Sequence, residues 1–461
     1  MKIIPGVFLG LLFFLSVFLQ PPVKFLSKKF FQDNTNVRAV VLIDQRLYAM
    51  LQNKVDRYLI LASARRQFGI VIDCDKNLDD YHFTQTRELI RNYYKKYDRL
   101  EGILFIGNIK PPSFYKTRAD ILQVRYYVPY FEDLDLELGK HYTKGTIDPF
   151  CTDTGGYYCQ NRDTNGHVIL EHDFDEILTF PASPELWTAY MPAGKDSLST
   201  FTDYAQQLSP YFDKLIRYYS GKYYPDNKMY MISNDIYGWD YNFWLLYKDM
   251  KSIDYFGMNP DTCKPCMETG RTKAECYQRV SLENYHNQKE FLKSFYSRPW
   301  MGNGWQDSDI YTKHMLAGKY EFVFVNVHGR EDYSMLKHFR AKKLQHGGLI
   351  IMGAGCSIAG YKLPRSPSFV QSKIYPDKNI LLSYLYGASE FRAAFGTSFW
   401  RGHAPHYEII IYHMKNNGYY LGKANRERMR YFYSIATDRY DLRENQNEYF
   451  LGDPFMDVHQ N

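Results

Sequence analysis

From residue 37 onward, short apolar runs alternate with longer amphipathic segments. VRAVVLID (37–44), FGIVIDC (68–74), GILFIGN (102–108) and KMYMISND (228–235) read as strands. So do FVFVNV (322–327) and LIIMGAG (349–355), while AAFGTSFW (393–400) reads as a strand with its exit loop. Helical spacing covers residues 46–65, 84–97 and 198–219, then 380–387, 405–416 and 421–436. Alternating strands and helices predict an α/β fold with a mostly parallel sheet. A stretch rich in Asp, Gly, Thr and Asn, about 131–185, interrupts the alternation, which restarts at residue 228. That places a boundary near 220, with an N-terminal α/β subdomain over 31–220 and a second over 221–461. The 461 residues are 45% hydrophobic and 23% charged, a globular composition with room for such units. The net charge of +6 is spread along the chain without a Lys/Arg-rich run, which argues against a nucleic-acid partner.

The segment before residue 31 is of another kind. Lys2 precedes an uncharged run from Ile3 to Leu19, closed by Pro21 and Pro22. At seventeen residues the run is long for a signal peptide and short for a membrane span. Three readings stay open for 1–30: a cleaved signal, an uncleaved anchor that tethers the protein to a membrane through residues 3–19, or a buried core helix. Either of the first two puts the rest of the chain outside the cytosol, secreted or surface-tethered, which is the expected location.

Two strands carry the chemistry. FVFVNV runs straight into His328-Gly329, and LIIMGAG into Cys356. In a parallel sheet both residues leave the carboxyl ends of their strands on the same edge, where open α/β sheets bind ligands. A thiol and an imidazole presented together there can act as nucleophile and general base. The amides of Gly329 and Cys356 can form the oxyanion hole, since glycines 329 and 355 let the backbone turn sharply beside a reacting carbonyl. His346 also sits in a His-Gly pair, ten residues before Cys356, but it precedes its strand. It is therefore expected at the opposite edge and is rejected as the base.

The paired motif is the signature of the caspase-like clan of cysteine peptidases, and the chain resembles the gingipain family within it. The matching blocks are NVHGRED, IIMGAGCSIAG, FGTSFWRGHAP and EYFLGDPFMDV, in family order. More loosely, RNYYKKYDRLEGILFIGN and LWTAYMPA resemble upstream family segments, so the likeness spans about 38–458. It implies a caspase-like αβα sandwich of two subdomains and a cysteine endopeptidase with Cys356 as nucleophile and His328 as base. Trp400 falls where the family places a wall of the S1 pocket, and Asp235 near its acidic partner of the histidine, which is a glutamate there. Asp240 is a candidate reader of a basic P1 residue, although Trp239, Tyr241 and Phe243 around it suit an apolar pocket equally.

The segment NRDTNGHVILEHD (161–173) is similar to a family loop where calcium is often found. Asp163, Asn165 and Asp173 offer hard oxygen ligands; the same residues fit an ordinary polar loop. The chemistry itself requires no cofactor, and structural calcium is the one expected addition. Protein or peptide substrates are the expected partners. A catalytically inactive caspase-like binding or assembly protein is the rival reading. The chain stops at Asn461, a few residues after GDP, where many family members continue into further modules. Of seven cysteines, setting Cys356 aside leaves Cys74, Cys151, Cys159, Cys263, Cys266 and Cys276, enough for up to three disulfides in an oxidising compartment.

Overall fold

The computed structural model describes residues 36–81, 83–109, 113–118, 121–126, 129–135, 184–233, 252–256, 304–327, 329–353, 358–361, 363–364, 374–397, 406–435 and 448–458. In chain order its strands are β1 (Val37–Ile43), β2 (Gly69–Asp73), β3 (Gly102–Ile106), β4 (Ser113–Arg118), β5 (Ile121–Tyr126), β6 (Trp187–Met191) and β7 (Lys228–Ser233). They continue with β8 (Ser252–Phe256), β9 (Lys319–Asn326), β10 (Tyr333–Ser334), β11 (Leu336–Lys337), β12 (Gly347–Gly353), β13 (Ala393–Thr397) and β14 (Glu448–Gly452). The helices are α1 (Gln45–Arg66), α2 (Phe83–Lys96), α3 (Pro129–Glu132), α4 (Phe201–Tyr219) and α5 (Gly304–Ala317). After them come α6 (His338–Lys343), α7 (Ile380–Tyr386), α8 (Tyr407–Asn416) and α9 (Leu421–Ile435).

Ten strands make one sheet in the order β2-β1-β3-β6-β14-β13-β12-β9-β7-β8. β4 with β5, and β10 with β11, form separate antiparallel ribbons. Every residue of β2, β3, β6, β12, β13 and β14 is buried, so these strands have no solvent face. That is why β2, β3, β12 and β13 read in the sequence as mainly apolar runs rather than alternating ones. Each fully buried Val, Leu, Ile or Phe contributes about 1.5–3 kcal/mol. With helices packed on the sheet, the fold is α/β and mostly parallel, an arrangement compatible with an αβα sandwich.

Strand direction divides the sheet. β2, β1, β3, β6 and β14 run one way. β13, β12, β9, β7 and β8 run the other way. The two sets meet antiparallel at β13 and β14, where Thr397 faces Glu448 and Ala393 faces Gly452. The carboxyl ends of the first set therefore share an edge with the amino ends of the second. The C-terminal strand β14 runs with the N-terminal set, which joins both halves of the chain in one sheet.

Local signals start and stop the helices. Asp44 caps α1, its carboxylate accepting from the Arg46 N–H at 2.9 Å. α1 ends at Gln67, in the left-handed region at φ 55°. A capping box opens α4: Asp203 N–H donates to Thr200 Oγ1 at 3.3 Å, and Thr200 N–H to Asp203 Oδ2 at 2.8 Å. α1 and α4 are joined by an ion pair of Lys54 with Asp213 at 2.5 Å and by Tyr58 against Phe212.

The turn after β14 is fixed by Gly452, at φ 94°, where a Cβ would collide with the Arg392 carbonyl. Next to it Asp453 is fully buried and accepts from Tyr58 Oη at 2.6 Å, Tyr219 Oη at 2.7 Å and Phe455 N–H at 3.0 Å. Burial pushes its carboxyl up to about 6 despite those three donors.

Candidate active site

The parallel strands β13, β12, β9 and β7 are consecutive in the sheet. Their carboxyl ends are in register: Gly353 pairs with Val325, Asn326 with Ser233, and Met352 with both Phe324 and Phe395. In the sequence β9 is followed by Val327 and His328, β12 by Ala354-Gly355-Cys356, β13 by Ser398-Phe399-Trp400 and β7 by Asn234-Asp235. Thus four neighbouring strands, aligned at one edge, lead into four of the candidate residues. His328, Cys356, Trp400 and Asp235 lie outside the described residues, as do Asp240 and the candidate calcium ligands Asp163, Asn165 and Asp173. Gly329 is described and half-buried. His346, at φ 63°, immediately precedes β12 and bridges Ser389. It is at the amino end of a seven-residue strand, roughly 20 Å from the Gly353 end.

The described chain on either side of these positions is firmly held. After Cys356 it returns at Ile358 and Ala359, both fully buried. Ile358 fills the space over two glycines of the sheet: a Cβ on Gly353 would collide with its Cδ1, and one on Gly396 would come within 2.8 Å of its Cγ1. Ala359 N–H donates to Thr397 O at 2.9 Å, tying the returning chain to the end of β13. Asn379, fully buried at the start of α7, donates through Nδ2 to Ile358 O and Gly360 O, each at 2.9 Å. After His328, Arg330 and Tyr333 exchange backbone hydrogen bonds of 2.9 and 3.1 Å, and Ile380 N–H donates to Glu331 O at 2.8 Å. The Glu331 carboxyl is raised from its ordinary range by burial.

A buried charged group stands at the same edge where the two strand sets meet. Glu448, the first residue of β14, pairs with Arg428 of α9 at 2.6 Å. Arg428 also stacks over Tyr407 at 5.2 Å. Glu132, from α3, accepts from Thr188 Oγ1 at 2.7 Å and Thr188 N–H at 3.1 Å. Burial raises the Glu132 carboxyl to about 7, outweighing both hydrogen bonds and the attraction of Arg428. Sequence reasoning missed Glu132 and Asn379. Glu132 binds a threonine 56 positions away, and Asn379 binds carbonyls 19 and 21 positions away. Only the Asn379-Ile380 junction carries a local signal, an Asn before an apolar helix.

Chemically, the edge offers strand ends aligned in register and, at the seam beside them, a buried carboxyl that burial raises to about 7. No family model matches the chain, and neither a curated protein nor a solved structure matches it.

Proposed function

We propose that the chain is a cysteine endopeptidase of the gingipain type, with an N-terminal α/β subdomain over 31–220 and a caspase-like catalytic subdomain over 221–461. The observation that carries this reading is the alignment of β9 and β12. They are adjacent, parallel and in register at their carboxyl ends, and the sequence runs from them within three residues into His328 and Cys356.

In this mechanism His328 takes the proton of the Cys356 thiol, and the thiolate attacks the carbonyl carbon of a peptide bond. The oxyanion is held by the amides of Gly329 and Cys356. Collapse breaks the C–N bond as imidazolium 328 gives its proton to the leaving amine. Water, deprotonated by His328, then hydrolyses the thioester and restores the thiol. Asp235 would orient the imidazole, and Trp400 and Asp240 would line the pocket for the residue before the cut. Asp163, Asn165 and Asp173 would hold a structural calcium ion, outside the chemistry. Residues 3–19 would export or tether the enzyme.

The test is preferential labelling of Cys356 by an iodoacetamide probe on the full chain, with hydrolysis of a mixed peptide library scored for the residue before the cut. Unselective labelling, or library cleavage that survives Cys356→Ala, sinks the reading. An inert protein with an ordinary Cys356 thiol would point instead to the non-catalytic binding or assembly role.

A further inference from the structure

We propose that Asn379 is a positioning residue for the dyad, because it and the adjacent Ile380 amide tie the chain that follows Cys356 to the chain that follows His328; this rests on the peptidase reading above. Asn379 and Ile380 are consecutive, yet they bind the two segments separately. The Asn379 amide group donates to Ile358 O and Gly360 O, two and four residues beyond Cys356. The Ile380 N–H donates to Glu331 O, three residues beyond His328. A dyad whose members leave different strands needs such a cross-tie, because the sheet fixes the strand ends and not the loops beyond them. Misplacing reacting groups by about 1 Å costs up to about a hundredfold in rate.

The Asn379 amide is fully used. Its Oδ1 accepts from Leu382 N–H at 3.1 Å, capping α7, and its two N–H bonds serve the two carbonyls. That pattern fixes the orientation: flipped, the oxygen would face two carbonyl oxygens and the NH2 would face an N–H. Aspartate cannot replace it, since it supplies the cap and loses both donors. A side chain needed only to start a helix would be served as well by Asp or Ser. Here the two extra bonds run across the fold to the segment that follows the nucleophile.

The two roles separate in Asn379→Asp and Asn379→Ser, both of which keep a capping oxygen. The experiment measures the rate of Cys356 alkylation against pH, kcat and KM on a cleaved peptide, and Tm on the same samples. In the native protein Cys356 is expected to titrate below the ordinary thiol value of about 8.5. In both variants the midpoint moves back by about one unit, and kcat falls about ten- to a hundredfold while KM changes less than about threefold. Variants that keep the native alkylation profile and kcat within about twofold overturn the positioning role, whatever their Tm. Should Asn379→Asp fail to fold, Asn379→Ser decides. A native protein whose Cys356 behaves as an ordinary thiol and that cleaves nothing overturns the peptidase reading, and the positioning role with it. A native enzyme that is active with unaffected variants overturns the positioning role alone.

Discussion

The two strand sets present carboxyl edges of the same architecture and opposite content. At the edge of the first set β1 runs into Asp44 and β2 into Asp73, β3 is followed by Asn108, and β14 by Asp453. These residues turn back on the protein itself. Asp44 binds Arg46 and the Asp79 N–H, Asp73 binds Lys76, Asn108 Oδ1 accepts from Ala193 N–H, and Asp453 is enclosed by tyrosines. At the edge of the second set the strands lead instead toward His328, Cys356, Trp400 and Asp235. The first edge even has its own strand-end cysteine, Cys74 after β2. But among the described residues β2 pairs only with β1, and β1 is followed by Asp44 rather than a histidine. A carboxyl edge is thus an opportunity that parallel strands provide at every βα unit. Chemistry requires that two adjacent strands release complementary groups there.

The sharpest way to break the comparison is to remove each cysteine. Cys356→Ala is expected to lower peptide hydrolysis at least about a thousandfold, whereas Cys74→Ala leaves it within about twofold. Comparable losses in both variants, measured on the same peptide, would end the distinction between the edges.

The second set should also depend on its buried charges. Glu321 of β9 and Lys415 of α8 pair with no exposed side-chain surface, and Lys415 also donates to Asn227 Oδ1 at 2.9 Å. Lys415→Met removes the cation paired with a buried carboxylate and is expected to cost about 3–5 kcal/mol in urea unfolding. Adding Glu321→Leu should return most of that loss, because the desolvation of both charges disappears together.

The seam between the sets carries a pH signature. The Glu132 carboxyl rises from its ordinary 4.5 to about 7 in the folded protein. Between those values the folded state holds a proton that the unfolded chain has released. Its contribution to stability is therefore complete below pH about 4.5 and is lost as pH rises through about 7. Glu132→Gln should remove that slope, so that the difference in unfolding free energy between variant and parent changes by about 3 kcal/mol from pH 4.5 to pH 8. A difference that stays constant with pH would show that Glu132 is not held protonated at the seam.

The smallest expected effect asks whether the sets unfold apart. Thr200→Ala removes the cap of α4 and should lower stability by about 1 kcal/mol. Because the sheet is continuous through β13 and β14, one thermal transition should shift as a whole. Two transitions, with only one shifted, would show independent subdomains.

Much of this fold was legible in the sequence because its strands are buried on both faces. β1, β2, β3, β9 and β12 fall within two or three residues of the apolar runs that predicted them. The ribbons and β8 were not legible, since SFYKTR, ILQVRY and SIDYF mix polar and apolar residues in runs too short to separate from loops. β14 was read only as part of a motif, because EYFLG gains its meaning from the two strands it inserts between. The rejection of His346 was legible, as it needs only the position of a residue relative to its own strand.

By itself the sequence determined the α/β alternation, the strand-end positions of His328 and Cys356, and the contrast with His346. All three follow from local order along the chain. Only the tertiary structure decided that the strand sets run in opposite directions, that β9 and β12 are neighbours in register, and that Asn379 and Glu132 are buried with hydrogen bonds to distant segments. Those facts depend on which distant segments the chain brings together. Pairing across 19 to 56 positions leaves no periodicity in the sequence, since it is selected by burial and hydrogen bonding in the assembled core.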